Sequence, residues 1–377
     1  MSAHAILAPS AAARWVACAG SVALAALFPE EKDGEKAREG TAAHWAAFEV
    51  LHASPVALGQ VAPNGFVLTE EMLEGAQAYV DEIDAELARR HLTRAVLVVE
   101  RRVSIGRVHP ENWGTPDCWF YDPIARVLVM FDFKFGHRMI EVFENWQLID
   151  YVAGVATELD LDDLTNAVKM VIVQPRSFHR DGPVREWTTR LCDLRAQINI
   201  LTSAAERALE PGAKCTPNPE CEFCPARHAC EAVQHSAYRA VALSKGSTPL
   251  VLSPSAVGLE LRTLEAAEQA LAARISGLKA QAVALFKGGA QVPGWAMVPT
   301  SGREAWREDK PLTELLQLGT LFGIDLAKPA AITPTQARKK GMPEEVIAQY
   351  AGKPSRGLAL ERDDGSTARR VFGKNTY

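Results

Sequence analysis

The spacing of hydrophobic and polar residues changes along the chain from a helical period to a strand-like one. "EGTAAHWAAFEVLHA" and "EEMLEGAQAYVDEIDAELARRH" repeat apolar residues every three or four positions, which is typical of amphipathic helices. A shorter helix is predicted over "APSAAARWVACAG", which begins beside a proline and a serine and ends at a glycine. The first third of the chain is therefore predicted to be helical.

Four strands are predicted after these helices. "AVLVVERRVSI", "PDCWFYD", "RVLVMFDFK" and "AVKMVIVQP" are short apolar runs rich in β-branched and aromatic residues, and "YDPIAR" is predicted to be a turn between the second and third. A helix, "VFENWQLIDYVAGVATEL", separates the third strand from the fourth, and "VREWTTRLCDLRAQINILTSAAERALEPG" is predicted to be a helix as well. The order helix, three strands, helix, strand predicts an α/β fold with a mixed sheet.

A break at "SKGSTP", residues 244–249, predicts a linker between two domains. Residues 1–243 would form the first domain, 250–360 a C-terminal extension, and 361–377 a polar tail that we expect to be disordered. The extension would open with a long helix that starts at Ser253 and Pro254 and has the apolar stripe Val257, Leu261, Leu264, Leu271, Ile275, Leu278 and Leu285. We expect this stripe to pack in a core, with a protein interface as the alternative.

The composition narrows the classes of function. The 377 residues carry 41 basic and 46 acidic side chains, which argues against a protein held on nucleic acid by bulk charge but leaves room for a local basic cleft. No apolar run approaches the roughly 18 residues that span a bilayer, and the N-terminus lacks the pattern of a signal peptide. We expect a cytosolic, reducing setting, in which the seven cysteines are ligands or core residues rather than disulfides.

Charged residues stand inside the predicted strand "VLVMFDFK". Alternate residues of a strand share a face, so Asp132 and Lys134 should project together, and a hairpin would bring Asp117 beside Asp132. Two close carboxylates repel each other unless a cation lies between them, and oxygen ligands suit Mg²⁺ or Mn²⁺. A nearby ammonium could orient a water or stabilise charge on a phosphate. The alternative is a surface salt bridge between Asp132 and Lys134.

The order of these motifs resembles the RecB-like branch of the PD-(D/E)XK nucleases. "GTPD" and "DFK" match that family's second and third motifs, "NWQLIDY" its Q-x-x-x-Y signature, and "EGTAAH" the upstream motif whose histidine completes the metal site. The resemblance implies a restriction-endonuclease-like core in which Mg²⁺ or Mn²⁺ is bound by His44, Asp117, Asp132 and the Phe133 backbone carbonyl. It implies that Lys134 is the catalytic lysine and that Gln147 and Tyr151 border the DNA path. Glu100 is a secondary candidate ligand, because several relatives carry an acidic residue there.

A second group of candidate ligands lies in "CTPNPECEFCPARHAC". Cys221, Cys224 and Cys230 have the spacing C-x2-C-x5-C, and three thiolates so arranged in a reducing compartment indicate a metal. Some RecB-like nucleases hold a [4Fe–4S] cluster with such a trio and a distant N-terminal cysteine, whose place Cys18 matches. Cys215 departs from that pattern and with the trio would make a zinc site, so both possibilities stay open. The other two cysteines, Cys118 and Cys192, are expected to be buried core residues.

The resemblance extends over nearly the whole chain to a family of phage and prophage RecB-like nucleases, through "APSAAARWVAC" and the C-terminal segments "GWAMVPTSGREAWRED" and "LAKPAAITPTQARKKGMPEE". It implies a metal-dependent DNA exonuclease in the cytoplasm of a bacterial host. The implied substrate is DNA with a free end, single-stranded or resected, and the implied partners are phage recombination or replication proteins. The alternatives are a non-catalytic DNA-binding protein and a zinc-stabilised assembly factor, each using the nuclease fold as a scaffold.

Overall fold

A five-stranded mixed sheet with helices on both faces forms the core of the part of the chain that the structure describes. The computed structural model describes residues 5–28, 35–243 and 252–295. The helices are α1 (Ala12–Ala17), α2 (Ser21–Ala26), α3 (Glu35–Leu51), α4 (Glu70–Arg89), α5 (Trp146–Glu158), α6 (Arg195–Leu209), α7 (Glu231–Leu243) and α8 (Pro254–Lys287). The strands are β1 (Val98–Val99), β2 (Val103–Ser104), β3 (Trp113–Gly114), β4 (Cys118–Asp122), β5 (Val127–Phe133), β6 (Ala167–Val173) and β7 (Val184–Arg190). These elements confirm the predicted α/β class with a mixed sheet.

The strand order in the large sheet is β1-β4-β5-β6-β7, and β2 and β3 form a separate two-stranded sheet. The β5–β6 pair is parallel, while the other neighbours in the large sheet are antiparallel. Because parallel strands need a crossover, α5 connects β5 to β6. The carboxyl ends of both strands therefore meet at one edge of the sheet, where the Lys134 amide donates to the Val173 carbonyl over 2.9 Å.

The alternation of β5 divides its side chains between two hydrophobic layers. Leu128 and Met130 join the layer that contains residues of α1, α5 and α6. Val129, Phe131 and Phe133 join the opposite layer, which contains residues of α3 and α4. This arrangement confirms the predicted faces of the strand. It also directs the side chains of the next even-numbered residues, 132 and 134 at the carboxyl end of the strand, toward α5.

Two predicted elements are wrong in detail. "AVLVVERRVSI" is not one strand, because only β1 and β2 are extended and Glu100 between them has a left-handed backbone with φ 46°. "VREWTTR" is strand β7 rather than the start of a helix, since it pairs antiparallel with β6 over its whole length. Its β-branched and aromatic residues favour a strand once a neighbour offers hydrogen bonds. The helix predicted there begins later, at Arg195.

Helix α8 packs against the cysteine-rich segment with small residues rather than with its apolar stripe. It begins as predicted after Ser253, whose hydroxyl accepts the Ala256 amide. The buried positions of α8 are Ala270, Ala273 and Gly277, while Val257, Leu261, Leu264, Ile275, Leu278 and Leu285 are exposed, so the predicted burial of the stripe is wrong. This face of α8 requires small residues because it packs directly against the backbone of the cysteine-rich segment. A Cβ on Gly277 would lie 2.8 Å from the His228 Cα.

All the described residues belong to one compact unit, Met1–Trp295. Helix α8 is part of this unit, whereas the sequence placed it in a separate extension. The predicted linker at 244–249, the tail at 361–377 and the rest of the extension beyond 295 lie outside the described residues. In the part of the chain that the structure describes, no helix is long and apolar enough to cross a membrane.

Candidate functional site

The β4–β5 hairpin brings the two predicted carboxylates to the same edge of the sheet. The last register pair toward that edge is Cys118 with Phe131, so Asp117 and Asp132 follow as neighbours just beyond it. Asp117 Oδ2 accepts the Phe133 amide over 2.6 Å, which fixes this carboxylate against the end of β5. The predicted proximity of Asp117 to the end of β5 is thus present in the structure.

An open cluster of three candidate ligands surrounds Asp117. His44 on α3, Glu100 after β1 and Asp117 each offer one ligand atom, and these three atoms lie within 4.8 Å of one another. His44 Nδ1 is 3.6 Å from Asp117 Oδ1, and both side chains are partly accessible to solvent. An imidazole and two carboxylates form a ligand set that suits Mn²⁺ or Mg²⁺. Glu100, a secondary candidate in the sequence, is therefore a full member of this cluster.

Asp132, Lys134 and Gln147 form a second, partly buried group that adjoins the first. The Lys134 ammonium donates to Asp132 Oδ1 over 2.9 Å and to Gln147 Oε1 over 3.1 Å, and Gln147 Nε2 donates to the same Asp132 oxygen over 3.1 Å. Asp132 is only 3% exposed, so its pair with Lys134 is not the surface salt bridge considered as the alternative. Burying such a pair carries a desolvation cost, which these hydrogen bonds partly offset.

Burial and neighbouring charges shift the pKa values of several groups in the site. Partial burial, and then the charge of Asp117, raise the pKa of Glu100 to about 7 although the residue remains exposed at one side. Burial also raises the pKa of Asp132, against the opposing effect of the Lys134 ammonium. Burial works to lower the pKa of Lys134, but Asp132 and Asp117 raise it above its usual value. Crowded carboxylates of this kind gain from a cation between them.

Tyr151 packs against the loop that carries Asp117. It is 6% exposed, and its hydroxyl donates to the Thr115 carbonyl over 3.2 Å. A Cβ on Gly114 would lie 2.7 Å from the Tyr151 ring, so the "GTPD" loop rests directly on this side chain. In the Q-x-x-x-Y signature, Gln147 thus faces Asp132 and Lys134, while Tyr151 holds the loop that carries Asp117. Contact of either residue with DNA and ligation by the Phe133 carbonyl remain predictions.

Two further residues near the sites have polar atoms that the sequence did not single out. Tyr79 on α4 lines the small pocket that also contains His44, Glu100 and Asp117, and Ser21 lines the cysteine pocket described next. The Tyr79 hydroxyl and the Ser21 hydroxyl are buried without a hydrogen-bond partner. The helical period predicts only that such residues face inward, so no sequence signal distinguishes them from ordinary core residues.

Five cysteines line one pocket between the N-terminal helices and the cysteine-rich segment that follows α6. The predicted ligands and the alternative fourth ligand all line it, namely Cys18, Cys215, Cys221, Cys224 and Cys230. The N-terminal segment reaches this pocket because the Gly20 amide donates to the Lys214 carbonyl over 3.0 Å. Residues about two hundred positions apart in sequence are thereby neighbours.

The thiols in this pocket differ in their surroundings. The Thr216 amide donates to Cys18 Sγ and the Asn218 amide to Cys221 Sγ, each over 3.3 Å. Burial, and then the neighbouring thiols of Cys18 and Cys230, raise the pKa of Cys215 to about 12.

The two cysteines outside this pocket were both expected in the core. Cys118 is fully buried in β4, as predicted. Cys192 is half-buried, so that prediction is wrong. It lies in a short 3-10 helix, Leu191–Leu194, that follows the strand β7, and its Sγ is 3.6 Å from Asp193 Oδ1.

Fold and site together define a mixed α/β protein with an acidic, histidine-containing centre at a sheet edge and a separate cysteine pocket. The chain belongs to the family described as "Protein of unknown function (DUF2800)", which matches it over residues 4–364. Both sites lie inside the matched span.

Proposed function

We propose that this protein is a divalent-metal-dependent deoxyribonuclease of the PD-(D/E)XK type that resembles the RecB-like branch. The observation that carries the proposal is the convergence of Asp117, Asp132 and Lys134 at one edge of the sheet, beside His44. Four motifs separated in sequence come together there, and the resemblance would assign them metal-binding and catalytic roles. The shifted pKa values of Glu100 and Asp132 add support, since perturbed carboxylates cluster at functional sites.

The residues of the site fit a divalent metal. His44, Asp117, Asp132 and the Phe133 carbonyl would hold Mg²⁺ or Mn²⁺, with Glu100 as an additional ligand. When bound, the metal supplies Lewis acidity toward a phosphodiester. Lys134 then orients the attacking water and stabilises negative charge on the phosphate, and Gln147 keeps Lys134 and Asp132 in register through its two hydrogen bonds.

The cysteine pocket fits a [4Fe–4S] cluster bound by Cys18, Cys221, Cys224 and Cys230. Two of these sulfurs already accept backbone amides, as cluster-bound thiolates do. The buried Ser21 hydroxyl has no partner within the protein, which supports an acceptor in the pocket. A tetrahedral zinc site would need sulfurs about 3.8 Å apart, given zinc–sulfur bonds of roughly 2.3 Å. The Cys215 thiol lies within hydrogen-bond reach of Cys18 and Cys230, so a zinc site that includes Cys215 is the alternative.

The proposed substrate is DNA with a free end, and the proposed setting is phage recombination or replication in a bacterial cytoplasm. Both rest on the resemblance of the motifs. A single-stranded or resected end would pass the site without sequence preference, because binding through phosphates and base stacking does not read the bases.

Cleavage of end-labelled linear DNA and of a closed circle, with Mg²⁺, with Mn²⁺ and with a chelator, tests this function. We expect metal-dependent degradation of the linear strand and little loss of the circle. Degradation of both at one rate would indicate an endonuclease. Binding without cleavage under every metal condition would contradict the nuclease and favour the scaffold alternative.

A further inference from the structure

Tyr79 places a buried hydroxyl beside the candidate metal ligands. The residue is 3% exposed, and its ring packs against Phe131 and Phe133 with centroid distances of 6.4 and 5.1 Å. Its hydroxyl oxygen is buried and makes no hydrogen bond within the protein. The same side chain lines the pocket formed with His44, Glu100 and Asp117. The side chain that carries this unpaired donor therefore forms part of the wall of the pocket that also contains the acidic cluster.

A hydroxyl in this position calls for a partner. Leaving a buried polar group without a hydrogen bond is unfavourable, and most buried groups in native proteins have one. Hydrophobic packing does not account for the tyrosine, because a phenylalanine would meet Phe131 and Phe133 equally well. Burial, and then the neighbouring Cys118 and carboxylates, raise the pKa of Tyr79, so the hydroxyl keeps its proton and can donate.

We propose that the Tyr79 hydroxyl donates a hydrogen bond to a water molecule held at the His44–Glu100–Asp117 cluster when a divalent metal is bound there. The inference rests on the proposed function, since that water is a ligand of the proposed metal. The pocket has space for about one water. Water is an acceptor for the tyrosine and, through its own protons, a donor to the carboxylates. Tyr79 is thus a positioning residue that acts on the metal's ligand shell from the α4 side and does not touch DNA.

The test compares the metal response of Tyr79→Phe with that of the wild type, without any DNA. The melting temperature is measured in chelator and across a Mn²⁺ titration. Tyr79→Phe removes one oxygen and keeps the ring, so in chelator it should melt at the wild-type temperature or above. Its Mn²⁺ concentration for half of the thermal shift should rise about three- to tenfold, as expected for one lost hydrogen bond.

Tyr121→Phe is the matched control, because its hydroxyl donates to Asn166 Oδ1 over 2.7 Å, a bond that involves no residue of the cluster. This variant should melt earlier in chelator and keep the wild-type Mn²⁺ midpoint. An unchanged Mn²⁺ midpoint in Tyr79→Phe overturns the inference, whatever its melting temperature in chelator.

Asp117→Asn separates this failure from that of the proposed function. If Mn²⁺ stabilises the wild type but not Asp117→Asn, the metal site stands and the Tyr79 midpoint alone decides the inference. If Mn²⁺ stabilises neither protein, the metal site and the inference both fail.

Discussion

At the residue scale, the proposed mechanism gives metal binding and the orientation of water to different residues. Lys134 contacts Asp132 and Gln147 but is a cation, so it cannot be a metal ligand at neutral pH. Asp117 is a candidate ligand and also accepts the Phe133 amide. The two residues should therefore fail in different ways when they are replaced.

We predict that Lys134→Met reduces the cleavage rate at least about a hundredfold while Mn²⁺ still raises the melting temperature. Asp117→Asn should lose both cleavage and the Mn²⁺ response. The measurements are initial rates on linear DNA and thermal melts with and without Mn²⁺. Near-wild-type cleavage by Lys134→Met would remove the lysine from the mechanism.

A second residue-scale prediction concerns Asp150, which is fully buried on α5 and receives the Asn112 side-chain amide on both carboxylate oxygens, at 2.8 and 2.9 Å. Burial raises its pKa to about 7, although Asn112 opposes the shift. In the unfolded chain the pKa of an aspartate is about 3.9. The folded state therefore binds more protons between these values, and this group's contribution to stability is lost as the pH rises from about 4 to 7.

Asp150→Asn removes that titration without changing the shape of the side chain. At pH 8 it should raise the free energy of unfolding over the wild type by about 1–3 kcal/mol, because a buried charge is no longer required. The gain should shrink by pH 5. Urea unfolding of both proteins at the two pH values measures it, and a gain that does not vary with pH would contradict the assignment.

At the element scale, the sequence pattern correctly predicts those helices and strands whose environment is the same along their whole length. The alternation of β5 follows from a strand buried on both faces, and it places Asp132 and Lys134 together without further information. The break at Glu100 and the strand β7 depend on tertiary partners, a left-handed turn in one case and pairing with β6 in the other. Tyr79 comes near the candidate site only because α4 packs against the sheet. The helical period of α4 does not predict that packing.

The packing of α8 on the cysteine-rich segment yields a prediction at this scale. Gly277→Ala would put a Cβ 2.8 Å from the Cα and 2.9 Å from the amide nitrogen of His228, both backbone atoms. The helix would have to move away, so we expect a loss of about 1–3 kcal/mol in unfolding free energy and a lower iron content. Thermal melting and metal analysis measure these effects.

Gly258→Ala is the control on the same helix, because the nearest atom to its Cβ would be an Arg262 nitrogen at 3.8 Å. Alanine favours a helix over glycine, so this variant should be neutral or slightly more stable. If Gly277→Ala were as stable as Gly258→Ala, close packing of α8 on the cysteine segment would be wrong.

At the scale of the whole molecule, the cysteine pocket joins the N-terminal helices to the cysteine-rich segment that follows α6. A cluster bound by Cys18 and by the trio would close a loop of about two hundred residues that includes His44 and the whole sheet. In the entropic model of a crosslink, such a closure contributes on the order of 5 kcal/mol. Loss of the cluster should then detach the N-terminal helices from the cysteine-rich segment, and His44 should lose its fixed position.

We predict that Cys18→Ser, purified without oxygen, loses iron and cleavage together, while Cys215→Ser keeps both. Colour and elemental analysis for iron and zinc provide the measurement. The reverse pattern would move the fourth ligand to Cys215, and a colourless wild type rich in zinc would exclude the cluster.

The most direct test of the nuclease is the Mn²⁺-dependent cleavage rate of Asp132→Asn on linear DNA, compared with the wild type and with Asp193→Asn. Asp193 lies in the 3-10 helix Leu191–Leu194 and pairs with Arg190 at the end of β7, far from the site at the opposite end of β6, so it serves as the charge-matched control. Both variants should melt cooperatively, so that lost activity is not lost folding. We predict that Asp193→Asn cleaves at the wild-type rate and Asp132→Asn does not cleave measurably. Cleavage by Asp132→Asn at the wild-type rate would contradict the proposed active site.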